Sequence, residues 1–138
     1  MKKADPISTE IIRNAFISIA QDMNAVLIRS AYTPVIYEGK DCVVALLDEK
    51  GEVLGQSSGL PLFLGNLQVC VQETAKMYGW DYFKEGDIFF VNDSFFTGTH
   101  LNDITIFAPI FWKGNLAGFS ASRAHWLDVG AKDPGGSM

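Results

Sequence analysis

Residues 103–112 and 116–125 are two β-rich runs of similar length around Lys113-Gly114-Asn115, and they constrain this chain's fold more than any other feature. Apolar and β-branched residues on both sides of a Gly/Asn turn read as an antiparallel hairpin. Its register decides what the open end can do. With a three-residue loop, Lys113 to Asn115, and Asn115 in the left-handed region, Asp103 stands directly opposite His125. The two side chains then share one face, with Cα atoms about 4.5–5.5 Å apart. With a two-residue Gly114-Asn115 loop the register slips by one and His125 turns to the other face. A shared site at the open end therefore requires the longer turn or a compensating bulge.

The rest of the chain supplies helices and further strands. Asp5 and Pro6 read as a helix N-cap and first helical residue. Ile7, Ile11, Ile12, Phe16, Ile19, Ala20, Met23, Val26 and Leu27 recur at helical spacing, which predicts a long amphipathic helix ending around 31–34. Its apolar stripe is expected to need a partner to cover it. Pro34 biases Thr33 away from helix. Residues 41–48 form a strand rich in β-branched residues, Asp48-Glu49-Lys50-Gly51 a turn, and residues 52–56 a returning strand. A Gly/Pro/Ser loop at 57–64 leads to a second helix over 65–78, with Leu67, Val71, Ala75 and Met77 on or near its apolar side. Residues 88–91 read as a short buried strand, and 92–102 as a polar loop carrying His100. The fold class expected is α+β, a mostly antiparallel sheet with a long N-terminal helix and a second helix packed on it.

At 48% hydrophobic and 20% charged residues, the chain can bury a core and suits one domain. Sixteen acids against eleven bases give a net charge of -5, which argues against a nucleic-acid partner. The longest apolar stretch, 15–28, is broken by Gln21, Asp22 and Asn24, so no membrane span is expected. The basic start lacks an apolar region after it, so a cytoplasmic location is expected by default. Cys42 and Cys70 sit in apolar runs and read as buried, inert thiols. No Walker A loop, Gly-x-Gly-x-x-Gly, Cys-x-x-Cys or Gly-x-Ser-x-Gly is present.

The chain has only two histidines, each followed three residues on by an acid: His100-Leu-Asn-Asp103 and His125-Trp-Leu-Asp128. Both lie at the open end of the hairpin. Such groups either converge on a metal ion or cap their loops by hydrogen bonds, and the residues alone leave both readings open. Asp41 opens a strand, as a solvated cap or, if the sheet brings it beside His100, as part of the same site. Arg123 shares the face of His125 and could hold a carboxylate or phosphate, or be an ion-paired surface arginine. Asn92, Asp93 and Ser94 with Gly98 form either a ligand-orienting loop or a plain polar turn.

Longer stretches resemble the hydantoinase B/oxoprolinase family. These are residues 5–14 (Asp-Pro-Ile-Ser-Thr-Glu-Ile-Ile-Arg-Asn), Arg29-Ser-Ala-Tyr-Thr-Pro34 and Val91-Asn-Asp93. Gly98-Thr-His-Leu-Asn-Asp-Ile-Thr105, Ser122-Arg-Ala-His125, Asp128-Val-Gly130 and Pro134-Gly-Gly-Ser-Met138 complete the match. The resemblance implies a subunit of an ATP-dependent hydrolase of cyclic amides such as hydantoins, oxoproline or lactams. A hydantoinase-A-type partner subunit would bind ATP and phosphorylate the substrate, and this chain would bind none. It also implies Asp41, His100, Asp103 and His125 as catalytic residues and ligands of a divalent metal: zinc first, with manganese or iron as alternatives. Asp128 would orient His125, while Arg123, Asn92 and Asp93 would support the ligands or contact substrate. The family often has a second His after Arg-Ala-His, where this chain departs from the pattern with Trp126. Family members are several times longer, so residues 1–138 are expected to be the N-terminal portion of a longer subunit, inactive in isolation. The alternatives are a subunit of a biotin-independent, ATP-dependent ketone carboxylase and a non-catalytic fragment that only assembles into a hetero-oligomer.

Overall fold

A computed structural model describes residues 5–59, 63, 65–97, 100–130, 132 and 133. The Pro134–Met138 block and the Gly98-Thr99 part of the histidine motif lie outside these residues, as do Leu60 to Leu62 and Leu64 of the Gly/Pro/Ser loop.

The first helix, α1 (Pro6–Ser30), begins as its sequence dictates. The Asp5 carboxylate accepts the Ser8 N–H at 3.0 Å, and Pro6 occupies the first turn, where no N–H is missed. A short helix, α2 (Pro34–Tyr37), follows at once, because Pro34 suits a helix start as well as a helix stop. Strands β1 (Cys42–Asp48) and β2 (Val53–Gln56) form a hairpin. The Asp48 side chain accepts the N–H groups of Lys50 and Glu52 at its tip, and Gly51 supplies the positive φ of 74°. Helix α3 (Asn66–Tyr78) ends at Gly79, and a 3-10 turn at Trp80–Tyr82 leads on towards β3 (Phe89–Val91). The hairpin of β4 (Asp103–Trp112) and β5 (Asn115–His125) closes the order.

The five strands make one antiparallel sheet in the order β2-β1-β5-β4-β3. The fold is therefore α+β, with the long N-terminal helix and mostly antiparallel sheet that the periodicities predict. One face carries the main core: Val43, Ala45 and Leu47 of β1 and Phe107, Phe119 and Ala121 of the central hairpin pack with Leu67, Cys70, Val71 and Ala75 of α3. Phe83 sits at its centre, edge-on to Phe89, Phe107 and Phe119. The other face packs Cys42 and Ala124 with Ile36 of α2 and Leu27 and Ile28 of α1.

One expectation changes. The strand at 88–91 is not buried: Ile88 is 74% exposed and Phe90 56%, because β3 is a sheet edge whose far side nothing covers among the described residues. The apolar stripe of α1 is mostly outward, as expected. Only Ala20 is buried, while Ile7, Ile11, Ile12, Ile19 and Val26 are exposed.

The hairpin turn resolves the register question through the second of the two routes, a bulge. The loop is two residues, Lys113 and Gly114, with φ of 51° and 79°, the signature of a type I′ turn. Trp112 thus faces Asn115 and Phe111 faces Leu116. A bulge follows at Ala117, so that Ile110 faces Gly118. From there the pairing runs without a break to Asp103 opposite His125. The compensating bulge, rather than the three-residue turn, brings the two onto one face.

Candidate metal centre

The site lies on the α3 side of the sheet, beyond the last apolar residues of the core. Because side chains alternate across a strand, Asp103 and Thr105 follow Phe107 outward on β4, and Arg123 and His125 follow Ala121 on β5. Asp41 precedes β1 at the same end, and its backbone carbonyl accepts the His125 N–H at 3.0 Å.

Asp103 is the centre. Its side chain is 1% exposed, yet one carboxylate oxygen lies 2.9 Å from His125 Nδ1. The other accepts the His100 backbone N–H at 2.9 Å and lies 3.4 Å from His100 Nδ1. The imidazoles meet edge to face, 5.6 Å between centroids. His125 is largely covered, its side chain 18% exposed, whereas that of His100 is 62% exposed. Each of His100, Asp103 and His125 offers one ligand atom, all within 4.8 Å of one another. Two donors on a common ion at about 2.0–2.2 Å stand no more than about 4.4 Å apart, so small side-chain adjustments suffice.

Asp41 tests whether a cation fits. Its Oδ1 is buried without a hydrogen-bond partner among the described residues. Burial pushes its carboxyl above the ordinary carboxylate range; His125 and His100 pull it down, while Asp103 pushes it further up. An orphaned, desolvated carboxylate oxygen beside an Asp–His pair is what a cation would satisfy. The grouped donors are two imidazoles and one carboxylate, which serve zinc, iron or manganese alike, and Asp41 lies outside this 4.8 Å set.

The supporting residues divide. Arg123 is fully buried, not a surface arginine; its guanidinium donates to the Thr97 carbonyl at 2.7 Å and lies 5.4 Å from the Phe63 ring centre. Asp93 shapes the loop before His100, its carboxylate accepting the Phe95 N–H and its carbonyl the Thr97 N–H. Asn92 reaches the Leu101 carbonyl at 3.4 Å. Gly98, expected to complete that loop, lies outside the described residues. Asp128 is exposed and accepts the Gly130 N–H; the carboxylate on His125 Nδ1 is that of Asp103. Cys42 is buried beside Asp41, and burial together with that carboxylate pushes its thiol pKa up, which keeps it unreactive.

Asn102 escaped the sequence reading. It is 3% exposed, its side-chain amide donates to the Trp126 carbonyl at 2.6 Å, and its own carbonyl accepts the Trp126 N–H at 2.8 Å. The clamp ties the residue before Asp103 to the residue after His125. The register that pairs Asp103 with His125 also sets 102 against 126, and that was the signal available.

The sequence and the fold are similar to those of known proteins. The chain is 36% identical to an uncharacterised protein of Methanocaldococcus jannaschii over 95% of this chain and 24% of that one. It is 32% identical to the 5-oxoprolinase of Dictyostelium discoideum over 95% of this chain and 10% of that one. Among solved structures, the ATP-dependent caprolactamase from Pseudomonas jessenii superposes with a TM-score of 0.79 at 26% identity, covering 97% of this chain and 23% of that one. A nucleotide-free acetone carboxylase, at 24% identity, shares the fold with a TM-score of 0.82, over 95% of this chain and 17% of that one. The chain thus spans at most about a quarter of the length of these relatives. The hydantoinase B/oxoprolinase family model matches residues 5–138, nearly the whole sequence, and the chain belongs to that family.

Proposed function

We propose that this chain contributes the metal-holding N-terminal part of a subunit that opens cyclic amides after ATP-dependent activation, with a hydantoin, oxoproline or lactam as substrate. The observation that carries the reading is the buried Asp103 bonded to His125, with His100 and the orphaned Asp41 oxygen beside it. The names of the relatives, a 5-oxoprolinase and an ATP-dependent caprolactamase, support cyclic amides as the substrate class.

In this reading His100, Asp103, His125 and Asp41 hold one divalent ion, zinc in the first instance. Such an ion supplies Lewis-acid polarisation and lowers the pKa of water towards about 7. The chain's own residues do the rest. Asp103 fixes the ring orientation of His125 through Nδ1. Asn102 and Trp126 hold the two ligand-bearing strand ends together. Asp41, its carboxyl already pushed up by burial, can accept a proton near the reacting centre when it is not bound to the ion. ATP binding and phosphorylation fall to an A-type partner subunit, and the remainder of a B-type subunit completes the substrate pocket.

The test is ATP turnover on hydantoin, 5-oxoproline and caprolactam with the A-type partner and the complete B-type subunit present. Substrate-dependent ADP release and ring opening, lost in His100→Ala, are expected. Bicarbonate fixation on a ketone without cyclic-amide turnover would move the assignment to a ketone carboxylase subunit. Absence of both reactions, and of stoichiometric metal, would leave a purely structural role.

A further inference from the structure

The second rung from the open end of the hairpin carries an unexplained pair. Thr105 stands directly opposite Arg123. Both are buried, at 0% and 1% exposure, and both keep an orphan: Thr105 Oγ1 and Arg123 Nε have no hydrogen-bond partner among the described residues. No carboxylate pairs with Arg123 among the described residues, and its one hydrogen-bond acceptor there is the uncharged Thr97 carbonyl. A carbonyl satisfies one N–H without supplying a counter-charge, and Asp103, on the same face, stands one rung away. A buried guanidinium without a directly paired carboxylate costs several kcal/mol. A neutral side chain would serve an anchor better.

We infer that Arg123 and Thr105 form an oxyanion subsite beside the metal centre, taking a phosphoryl or carboxylate group of the bound substrate. Planar N–H donors and a hydroxyl on one face suit an oxyanion. Arg123 and His125 are two residues apart on one face of β5, about 7 Å at strand spacing. A small molecule with its reacting amide at the Asp103–His125 rung would thus place an anionic group one rung deeper. Phe63 lies over the guanidinium and covers the pair on one side. The subsite stands on Arg123 and Thr105 themselves; a phosphoryl occupant rests on the proposed function.

The full chain, both metal-loaded and metal-stripped, is titrated calorimetrically with inorganic phosphate and with acetate, with metal content measured in parallel. Saturable binding of at least one anion to the stripped protein is expected. Arg123→Met should weaken it by about tenfold to a hundredfold, the range of a hydrogen bond to a charged group. The isosteric Thr105→Val should weaken it by about threefold to tenfold, and its small volume change covers the case in which Arg123→Met fails to fold. Phosphate binding tighter than acetate assigns the phosphoryl group; the reverse assigns the carboxylate. Failure of both anions to bind, or binding indifferent to both variants, overturns the subsite even if metal binds stoichiometrically. Anion binding retained in His100→Ala, with no metal bound by the wild type, would leave the subsite standing and remove the metal reading instead.

Discussion

The two ends of the β4–β5 hairpin are built by different forces. The turn end is local chemistry: Lys113 and Gly114 take the positive φ values of a type I′ turn and lie in solvent. A cleft of about 620 Å³ lies beside it, lined in part by Glu49, Trp80, Lys84 and Asn115. The open end instead gathers Asp41, Asp103, Arg123 and His125, with Asp103 and Arg123 buried and the other two half-buried. Polar groups are withdrawn from water where the chemistry is proposed and left wet where the chain merely reverses. Burial of paired and orphaned polar atoms, rather than cleft size, sets the open end apart.

Breaking the open end should therefore cost far more than breaking the turn. Asp103→Ala leaves His125 Nδ1 and the His100 N–H without their buried acceptor. A loss of about 2–4 kcal/mol in denaturant stability is expected, together with loss of stoichiometric metal by elemental analysis. A stability change below about 0.5 kcal/mol, the usual range for surface changes, would contradict the buried network. His125→Ala and His100→Ala sharpen the point. Both should abolish metal binding, but the exposed His100 should cost the metal-free fold much less than His125.

Asn102→Ala is the next step down. Removing the Trp126 clamp should cost about 1–2 kcal/mol and weaken metal affinity about tenfold, the lower bound for residues that orient ligands. Unchanged affinity by competition with a chromophoric chelator would reduce Asn102 to a strand tie.

These residues also show what was readable in advance. Helix α1, both hairpins and α3 follow from periodicity and turn residues, because each is decided by neighbours along the chain. The pairing of Asp103 with His125 was conditional on the loop, and Ala117 satisfied the condition by a bulge that no local residue type announces. The burial of Arg123 goes with Phe63 and the loop at 93–97 packing on the sheet end, and that of Asn102 with its pairing to Trp126. Such long-range packing leaves no periodic trace. The exposure of Ile88 and Phe90 on β3 was hidden for the same reason: apolar content says that a face wants cover, not that cover is present.

A smaller effect tests the electrostatics of the open end. The Asp41 carboxyl is raised in the fold by burial. A folded pKa above the unfolded value means that protonation favours the folded state. This contribution is fully present below the unfolded value of about 4 and is lost as pH rises through the raised value. The metal-free protein should lose thermal stability across that window, and Asp41→Asn should flatten the loss. Identical pH profiles for the two proteins would show that Asp41 is solvated. A bound cation should reverse the trend, because it favours the carboxylate.

The smallest effect is expected at the bulge. Deleting Ala117 leaves a regular two-residue hairpin in which Leu116 and Phe119 keep their faces and Asp103 still meets His125. Metal affinity should change less than about threefold, or about 0.65 kcal/mol. Loss of metal binding on this deletion would show that the bulge itself shapes the open end.

Metal stoichiometry across the hairpin rung tests the central claim most directly. Metal-stripped chain is titrated with zinc and with manganese and compared with Asp103→Asn and His125→Ala, with circular dichroism confirming the fold. One equivalent bound by the wild type, and none by either variant at the same protein concentration, is predicted. No stoichiometric binding by the folded wild type, or equal binding by the variants, would contradict a metal centre built on Asp103 and His125.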